Sequence, residues 1–563
     1  MNAALLAMIV LAVFLLAYRF YSSFLARTIF KLSPDDPVPS REQEDGVDYV
    51  PTPLRVLWGH HYTSIAGAAP IVGPAIAVIW GWLPALLWVT IGTVFMGAVH
   101  DFGALVISLR HRGHSMGDIA GDVISPRVRS LFLLIICFLI WIVLAVFAYI
   151  IGTLFRSNPS SIFPIWLQLF LALGLGWLIR HRNVRILGPS LVAYAILMTS
   201  IFYGDAFVEL FPFVAEISIM AWVWVLLIYS LVASILPVWL LLQPRDYLNS
   251  HQLITGLVLL TLGLLVLRPE IVAPAIDFAP EGAPPLIPFL FITIACGAIS
   301  GFHGLVSSGT TSKQVERATD ARPIGFGGML GEGYLGLLAV LAATAGFAST
   351  ADWHVHYASW GAANGLSAKL EAFVTGGATF IAALGIPLDT GKTFVAVMVI
   401  AFAATSLDTG ARIQRLVIAE LADSYGIRPL TNRYLAGVVG IGAALLLALT
   451  AGGGTGGLAL WPLFGTTNQL VAGVTLLIIS VWLRRLGRSS FYTLIPMFLV
   501  AAMTLWAIVD ALVIYFGNLE EFWLLASIGS SVLILDIWVL LEGLRAIRDS
   551  GSPARTGAPE SGA

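Results

Sequence analysis

One stretch without charged residues, Gly282–Ser312, constrains the fold more than any other part of the chain. Its first half has the apolar character of a membrane-spanning helix. Its second half holds several polar side chains: Ser300, His303, Ser307, Ser308, Thr310 and Thr311. A bilayer interior accepts such groups only where they line a cavity or pack inside protein. The sequence therefore predicts an interrupted membrane helix that contributes to a binding site.

Composition extends this interpretation to the whole chain. Hydrophobic residues make up 58% of it and charged residues 11%, against roughly 25% charged residues in a soluble domain. We expect an all-α polytopic membrane protein in contact with lipid, and the net charge of -2 does not favour a nucleic-acid partner. Apolar runs long enough to span a bilayer number about fifteen, near residues 3–25, 60–80, 83–109, 131–155, 163–179, 186–203, 217–242, 251–267, 289–311, 326–348, 390–408, 434–451, 456–483, 491–516 and 522–544.

Positive charge in the loops predicts the orientation of these spans, because Lys and Arg concentrate on the cytoplasmic side. Alternating spans place every basic cluster inside, including those at Arg110–Arg129, Arg412–Arg433 and Arg484–Arg488. The N-terminus is then outside and the C-terminus cytoplasmic. This agreement requires residues 370–386 to belong to an outer re-entrant hairpin rather than to a full span.

A second interrupted helix is predicted between His60 and Ala77, inside the uncharged stretch Val56–Val99. Pro70 and Pro74 each remove a backbone N–H and so free a carbonyl group one turn earlier. Freed carbonyls at membrane depth can bind a cation, and the N–H groups of the next half-helix suit an anionic substrate. The predicted backbone ligands are Gly67, Ala68, Ala69 and Gly73. A proline kink that only packs against its neighbours is the alternative.

By the charge count, the two interrupted helices cross the membrane in opposite directions, as an inverted repeat requires. Counting five spans from each predicts a five-plus-five inverted-repeat transporter core with extra peripheral helices. The expected division is an N-terminal helix and loop (1–55), a first repeat (56–205), inserted helices (206–283), a second repeat (284–484) with the outer hairpin (350–389), C-terminal helices (485–548) and a disordered tail (549–563).

Four motifs, in this order along the chain, resemble those of the carbon starvation protein A (CstA) family. They are GHHYTSIAGAAPIVGPA from Gly59, GAVHDF from Gly97, CGAISGFHGLVSSGTTSK from Cys296 and LWPLFGTTNQ from Leu460. The resemblance implies a LeuT-like transporter of the bacterial inner membrane that imports peptides or pyruvate when preferred carbon sources run out. The chain departs from the family pattern at position 100, where His replaces Gln.

The polar residues of the third motif are predicted to bind the substrate. On a continuous helix Ser300, His303 and Ser307 would share one face and could hydrogen-bond a carboxylate or ketone. The alternative is a packing stripe of Gly297 and Gly301, with the hydroxyl groups bonded back to helix carbonyls. The predicted substrate-binding side chains are Ser300, His303, Ser307, Ser308 and Asn468.

The coupling ion is expected to be H⁺, with Na⁺ as the alternative. His303 can carry a proton near neutral pH. His100 and Asp101 lie at the inner end of a span, where Asp101 holds a coupling proton or else pairs with Arg110 or another helix.

A sodium site is the second possibility. Thr405 and Ser406 resemble the hydroxyl pair that, in sodium-coupled relatives of this architecture, joins carbonyls of the first interrupted helix, here near Ala66–Ala69. Asp408 is a further ion-coupling candidate, although it can instead pair with Arg412 one helical turn away.

Three other features have simpler interpretations. His60 and His61 point to different helix faces, which favours an interfacial role over a metal site. Lys313 is expected to anchor a helix end in the cytoplasm. Asn468 and Gln469 are expected to interrupt another span and to face the cavity or a neighbouring helix.

The sequence thus predicts a secondary transporter that imports small carboxylated nutrients, pyruvate or short peptides, by alternating access. Sodium-coupled symport on the same fold and a membrane nutrient sensor without net transport are the alternatives. We expect no enzyme activity, cofactor or metal, since the chain lacks HExxH, Asp-rich diphosphate and paired-carboxylate motifs.

Overall fold

The structure is a computed structural model that describes residues 1–182, 185–450 and 455–549. Within these residues it is helical throughout, apart from loops and two isolated bridges. The predicted all-α polytopic fold is confirmed. Within the same ranges, 10 helices are long and apolar enough to span a membrane: Ala3–Ile29, Trp82–Arg110, Pro126–Ser157, Pro159–Arg182, Leu242–Leu267, Ala318–Ala345, Leu388–Ser424, Trp461–Arg485, Phe491–Gly517 and Leu519–Asp549.

Two bent helix pairs raise this number to as many as 12 in the described part of the chain. One pair, Leu187–Ile201 with Gly204–Leu210, lies at the periphery. The structure also contains two shorter apolar helices, Ile219–Ile235 and Arg433–Leu449. The other pair, Leu54–Ile65 with Ala69–Trp80, bends by 45° and is called the first broken helix below. Its break falls just before Pro70, which cannot donate the hydrogen bond that would continue the helix.

The second broken helix consists of Leu286–Thr293 and Gly301–Gly309, with residues 294–300 between them in non-helical conformations. Ser300 has extended backbone angles immediately before the second half begins. The interruption predicted in this segment is therefore present, and Ser300 lies just before the helical half that carries His303 and Ser307. The chain breaks where small residues and the absence of charge allow close packing against other helices.

The two broken helices are in direct contact. A Cβ atom on Gly73 would lie 2.3 Å from the carbonyl oxygen of Thr293, so only glycine allows this approach. A Cβ atom on Gly297 would lie 3.4 Å from Pro74. The second break and the helix end that precedes it thus pack against the second half of the first broken helix, so both helices form one central region.

The predicted outer hairpin folds as three helices, Thr350–His356, Trp360–Ala363 and Leu366–Ala382. The Tyr357 hydroxyl donates to the Ala75 carbonyl at 2.6 Å, and the Trp360 N–H donates to the Glu281 carbonyl at 2.8 Å. The hairpin is therefore fixed to the first broken helix and to the loop that leads into the second.

Other expectations differ from the structure. Residues 243–250, predicted to be a loop between two spans, lie inside the helix Leu242–Leu267 and are all buried. Asn468 and Gln469 do not interrupt a span, because the helix Trp461–Arg485 continues through them. Apart from Asp549, the predicted disordered tail lies outside the described residues, and the division into repeats stays a prediction.

Candidate functional site

A cavity of about 530 Å³ opens between the two broken helices and the outer hairpin. Ala69 and Gly73 line it from the first broken helix, and Ala295 and Cys296 line it from the second break. Its volume falls in the range of about 300–1,000 Å³ that is common for small-molecule sites. The remaining lining residues are Val72, Ile76, Gly282, Ala283, Pro284, Phe289, Ile292, Thr293, Trp360, Asn364, Lys369, Trp461, Pro462, Phe464, Gly465, Thr466, Ala507, Ala511, Ile514 and Tyr515.

A chain of hydrogen bonds connects this cavity to the second half of the second broken helix. The amide nitrogen of Asn468 donates to the Ser300 hydroxyl at 3.1 Å and to the sulfur of Cys296 at 3.4 Å. The amide oxygen of Asn468 accepts from the Phe302 N–H at 2.9 Å and so caps the restarted helix. Two predicted substrate-binding residues, Ser300 and Asn468, therefore hold the break in place beside the cavity.

The restarted helix carries His303 into a buried group of charges, here called the histidine–carboxylate cluster (His100, Asp101, His303 and Glu332). His303 Nδ1 lies 3.0 Å from Asp101 Oδ2, and His303 Nε2 lies 3.0 Å from Glu332 Oε2. The second contact has ion-pair distance without hydrogen-bond alignment. His100 Nδ1 lies 2.7 Å from the other Asp101 oxygen. All four side chains are fully buried.

The arrangement of this cluster suits proton binding. One imidazole lies between two carboxylates. The net charge of these three groups therefore changes only when a proton binds to them or leaves them. Buried carboxylates that share one titratable partner cannot all be charged without a large free-energy cost. Asp101 pairs with the two histidines, while Arg110 pairs with Asp36 at 3.2 Å, so the predicted alternative of an Asp101–Arg110 pair is wrong.

A second buried group, here called the arginine–carboxylate cluster (Arg245, Asp246 and Asp408), lies beside the first broken helix. Arg245 contacts Asp246 at 2.7 Å and also hydrogen-bonds Asp408. The Tyr229 hydroxyl donates to Asp408 at 2.8 Å. His60 Nδ1 lies 2.6 Å from Asp246, which ties the first broken helix to this cluster.

The histidine pair of the first broken helix is fully buried, so its predicted interfacial role is wrong. His61 Nδ1 lies 2.9 Å from the hydroxyl of Thr311 on the second broken segment. His60 and His61 thus contact different partners on different faces of their helix. Among the described residues, no group of three or more His, Cys, Asp or Glu side chains is arranged to hold a metal ion.

Ser406, one of the two hydroxyl residues predicted to bind sodium, borders the first break. The Ser406 hydroxyl donates to the carbonyl of Ser64 at 2.8 Å. A Cβ atom on Gly67 would lie 2.7 Å from the Ser406 oxygen, which places Ser406 directly against the break. Thr405 instead donates to Asp246 at 3.2 Å and accepts from Asn249 at 2.8 Å.

The two remaining serines of the third motif differ from each other. Ser308 donates to the Gly304 carbonyl at 2.8 Å and accepts from the Met116 N–H, as the packing alternative expects. The Ser307 hydroxyl is buried and has no hydrogen-bond partner among the described residues. Lys313 is buried too, with its ammonium 5.4 Å from the Tyr49 ring, so it is not an exposed helix anchor.

At the predicted cytoplasmic end, the loop before the first broken helix forms ion pairs with the helix Leu388–Ser424. Asp48 accepts hydrogen bonds from Arg415 at 2.9 Å and also pairs with Arg412. The alternative Asp408–Arg412 pair is therefore wrong. Burial alone would raise the pKa of Asp48, but the guanidinium groups of Arg412 and Arg415 hold this pKa well below its usual range.

Sequence reasoning missed Glu332, Arg245 and Asp246. Glu332 is the single charged residue in the apolar run 326–348, and a lone acid inside a span is a recognisable signal of function. The sequence predicts a loop at Arg245 and Asp246, because two adjacent charged residues interrupt the apolar run. Their mutual pairing is what allows them to lie inside a helix.

A family model described as "Carbon starvation protein CstA" matches residues 2–351 and 346–507. The peptide transporter CstA of Campylobacter jejuni is 32% identical over 572 residues, covering 91% of this chain and 81% of the relative. The peptide transporter CstA of Mycobacterium tuberculosis is 34% identical, covering 88% and 73%. The pyruvate/proton symporter BtsT of Escherichia coli is 33% identical, covering 92% and 82%.

Solved structures are only weakly similar. A manganese transporter of Eremococcus coleocola aligns with a TM-score of 0.47 and 13% identity, over 90% of this chain and 99% of that chain. A Na⁺-coupled sialic acid symporter aligns with a TM-score of 0.24 and 14% identity, over 90% and 97%.

Proposed function

The chain belongs to the carbon starvation protein CstA family, and we propose that it is a secondary transporter that imports peptides or pyruvate together with a proton. The names of its relatives, peptide transporter and pyruvate/proton symporter, support both substrates. In this proposal the protein lies in the bacterial inner membrane, with its N-terminus outside and its C-terminus in the cytoplasm. It uses no resident cofactor and acts on its substrate without chemical change.

The position of His303 between Asp101 and Glu332 carries the proposal. With all three groups ionised, the trio has two negative charges and one positive charge. One further proton makes it neutral. A buried group in a medium of low polarity gains most from that neutral state, so the trio is suited to take up one proton and release it later.

The path between the cavity and this cluster supports coupling. Cys296 faces the cavity, Asn468 bonds both Cys296 and Ser300, and the helix that begins after Ser300 carries His303. A substrate that displaces the break therefore shifts His303 relative to Asp101 and Glu332. Such a shift changes the stability of the protonated state, which is the coupling that symport requires.

Sodium coupling on the same fold has one specific observation in its favour, the Ser406 hydroxyl against the first break. The neighbouring carboxylates, Asp246 and Asp408, are already paired with Arg245. A guanidinium group keeps its positive charge throughout the physiological pH range and repels a second cation nearby. The proton is therefore the preferred coupling ion.

Uptake by purified protein in lipid vesicles tests this function. A pH gradient, acidic on the side of the N-terminus, is expected to drive accumulation of pyruvate or a dipeptide, whereas a Na⁺ gradient at equal pH is expected to drive none. Entry of one proton with pyruvate moves no net charge, while entry of one proton with a zwitterionic dipeptide generates a current. Accumulation driven by Na⁺ alone would contradict proton coupling. Absence of transport for both substrates, with substrate binding retained, would favour a sensor.

A further inference from the structure

We propose that Lys369 binds the carboxylate group of the transported substrate in the cavity between the two broken helices. The inference rests on the proposed transport function and deepens it by naming the group that the substrate presents. Pyruvate and the C-terminus of a short peptide share this carboxylate chemistry.

The position of Lys369 is the first observation. It lies on the hairpin helix Leu366–Ala382 and lines the cavity, yet its side chain is only 5% exposed. Every other described residue that lines the cavity is uncharged. The charged group that lines the cavity among the described residues is therefore one buried ammonium group, which attracts an anion and disfavours a cation.

The missing partner is the second observation. In the described ranges, the ammonium group of Lys369 forms no ion pair and no hydrogen bond with another residue. By contrast, the buried guanidinium groups of Arg245 and Arg415 contact Asp246 and Asp48, and the buried ammonium group of Lys313 lies 5.4 Å from the Tyr49 ring. A buried cation without a counter-charge is costly, and this cost is recovered when an anion arrives.

The rest of the cavity fits a small organic acid. The rings of Phe289, Trp461 and Tyr515 provide apolar surface, and the side chains of Asn364 and Thr466 provide hydrogen-bonding groups. When the carboxylate binds Lys369, the rest of the substrate lies between these rings and the two breaks. Substrate binding thereby connects the outer hairpin to the helix segment that carries His303.

The test compares carboxylates with their uncharged amides. Binding of pyruvate, pyruvamide, a dipeptide and the same dipeptide as its C-terminal amide is measured by equilibrium competition on the full-length protein at fixed pH. In the wild type, each carboxylate is expected to bind about 10- to 100-fold more tightly than its amide, the range expected for a hydrogen bond to a charged group. In Lys369→Met this preference is expected to fall to near 1. A preference kept for the dipeptide and lost for pyruvate, or the reverse, identifies which substrate uses Lys369.

Two variants serve as controls. Lys369→Arg keeps the charge and is expected to retain most of the preference. Lys392→Met removes a partly exposed lysine elsewhere in the chain and is expected to change nothing. A wild-type protein that binds amides as tightly as carboxylates overturns the proposal without any variant. An unchanged preference for both substrates in folded Lys369→Met overturns it as well.

The outcome is separable from that of the proposed function. Equilibrium binding requires no proton gradient, so an unchanged preference in Lys369→Met beside normal proton-driven uptake defeats only the role of Lys369. If the wild type prefers carboxylates to amides but shows no proton-driven uptake, only proton coupling is contradicted.

Discussion

The two buried charge clusters differ in the cation that neutralises their carboxylates. In the arginine–carboxylate cluster, Arg245 contacts both Asp246 and Asp408. In the histidine–carboxylate cluster, the cation between Asp101 and Glu332 is His303. Both clusters are almost completely buried, and each contacts one of the broken helices.

This difference separates a fixed charge from an adjustable one. A guanidinium group stays protonated at any pH that a cell experiences. An imidazole gains and loses its proton near neutrality. The first cluster is therefore suited to hold helices together throughout a transport cycle, and the second is suited to change its charge during that cycle. The following predictions test this division of roles.

The largest expected effect is on transport by His303→Ala. This change removes the group shared by Asp101 and Glu332, so proton-driven uptake is expected to fall to the level of protein-free vesicles. His354→Ala, which alters an exposed histidine of the outer hairpin, is the matched control and is expected to transport normally. Uptake by His303→Ala comparable to that of this control would contradict the assignment.

The next effect is on stability, through Arg245→Met. Two buried carboxylates lose their cation, which is expected to lower the free energy of unfolding by about 3–5 kcal/mol. Thermal unfolding in detergent measures the loss. The double variant Arg245→Met with Asp408→Asn is expected to recover part of it, because one uncompensated charge is removed. A single variant as stable as the wild type would show that this cluster is not a fixed structural element.

A smaller effect is expected at Asp48, an arginine-paired carboxylate outside the spans. Its lowered pKa means that the pair stabilises the fold above the unfolded-state pKa of about 3.9 and loses this contribution as pH falls further. Asp48→Asn is expected to cost about 1–3 kcal/mol at pH 7. Its unfolding temperature is expected to approach that of the wild type in acid. A constant difference at all pH values would contradict this account.

The sequence predicts the broken helices well because their causes are local. Pro70 removes a donor at a defined position, and Gly282–Ser312 combines the absence of charge with a concentration of hydroxyl groups. The sequence also indicates that Asp101 and His303 have partners, since ionisable residues inside apolar runs are costly without one. What local pattern cannot supply is the identity of that partner.

Two of the missed contacts join residues that are distant in sequence. Asp101 and His303 are 202 positions apart, and Arg245 and Asp408 are 163 positions apart. Hydropathy also misled at Arg245 and Asp246, because it treats every charge as exposed to lipid or water. Packing of several helices around these residues removes both environments and makes pairing possible.

Glu332→Gln tests the central claim most directly, by comparing accumulation with exchange. Glutamine keeps the size of the side chain but removes the carboxylate 3.0 Å from His303, so Asp101 and His303 form a neutral pair that an additional proton would make positive. Accumulation of substrate driven by a pH gradient, and exchange of labelled for unlabelled substrate without a gradient, are measured in the same vesicles. The account predicts that accumulation is lost while exchange continues. Accumulation by Glu332→Gln at the wild-type level would contradict it.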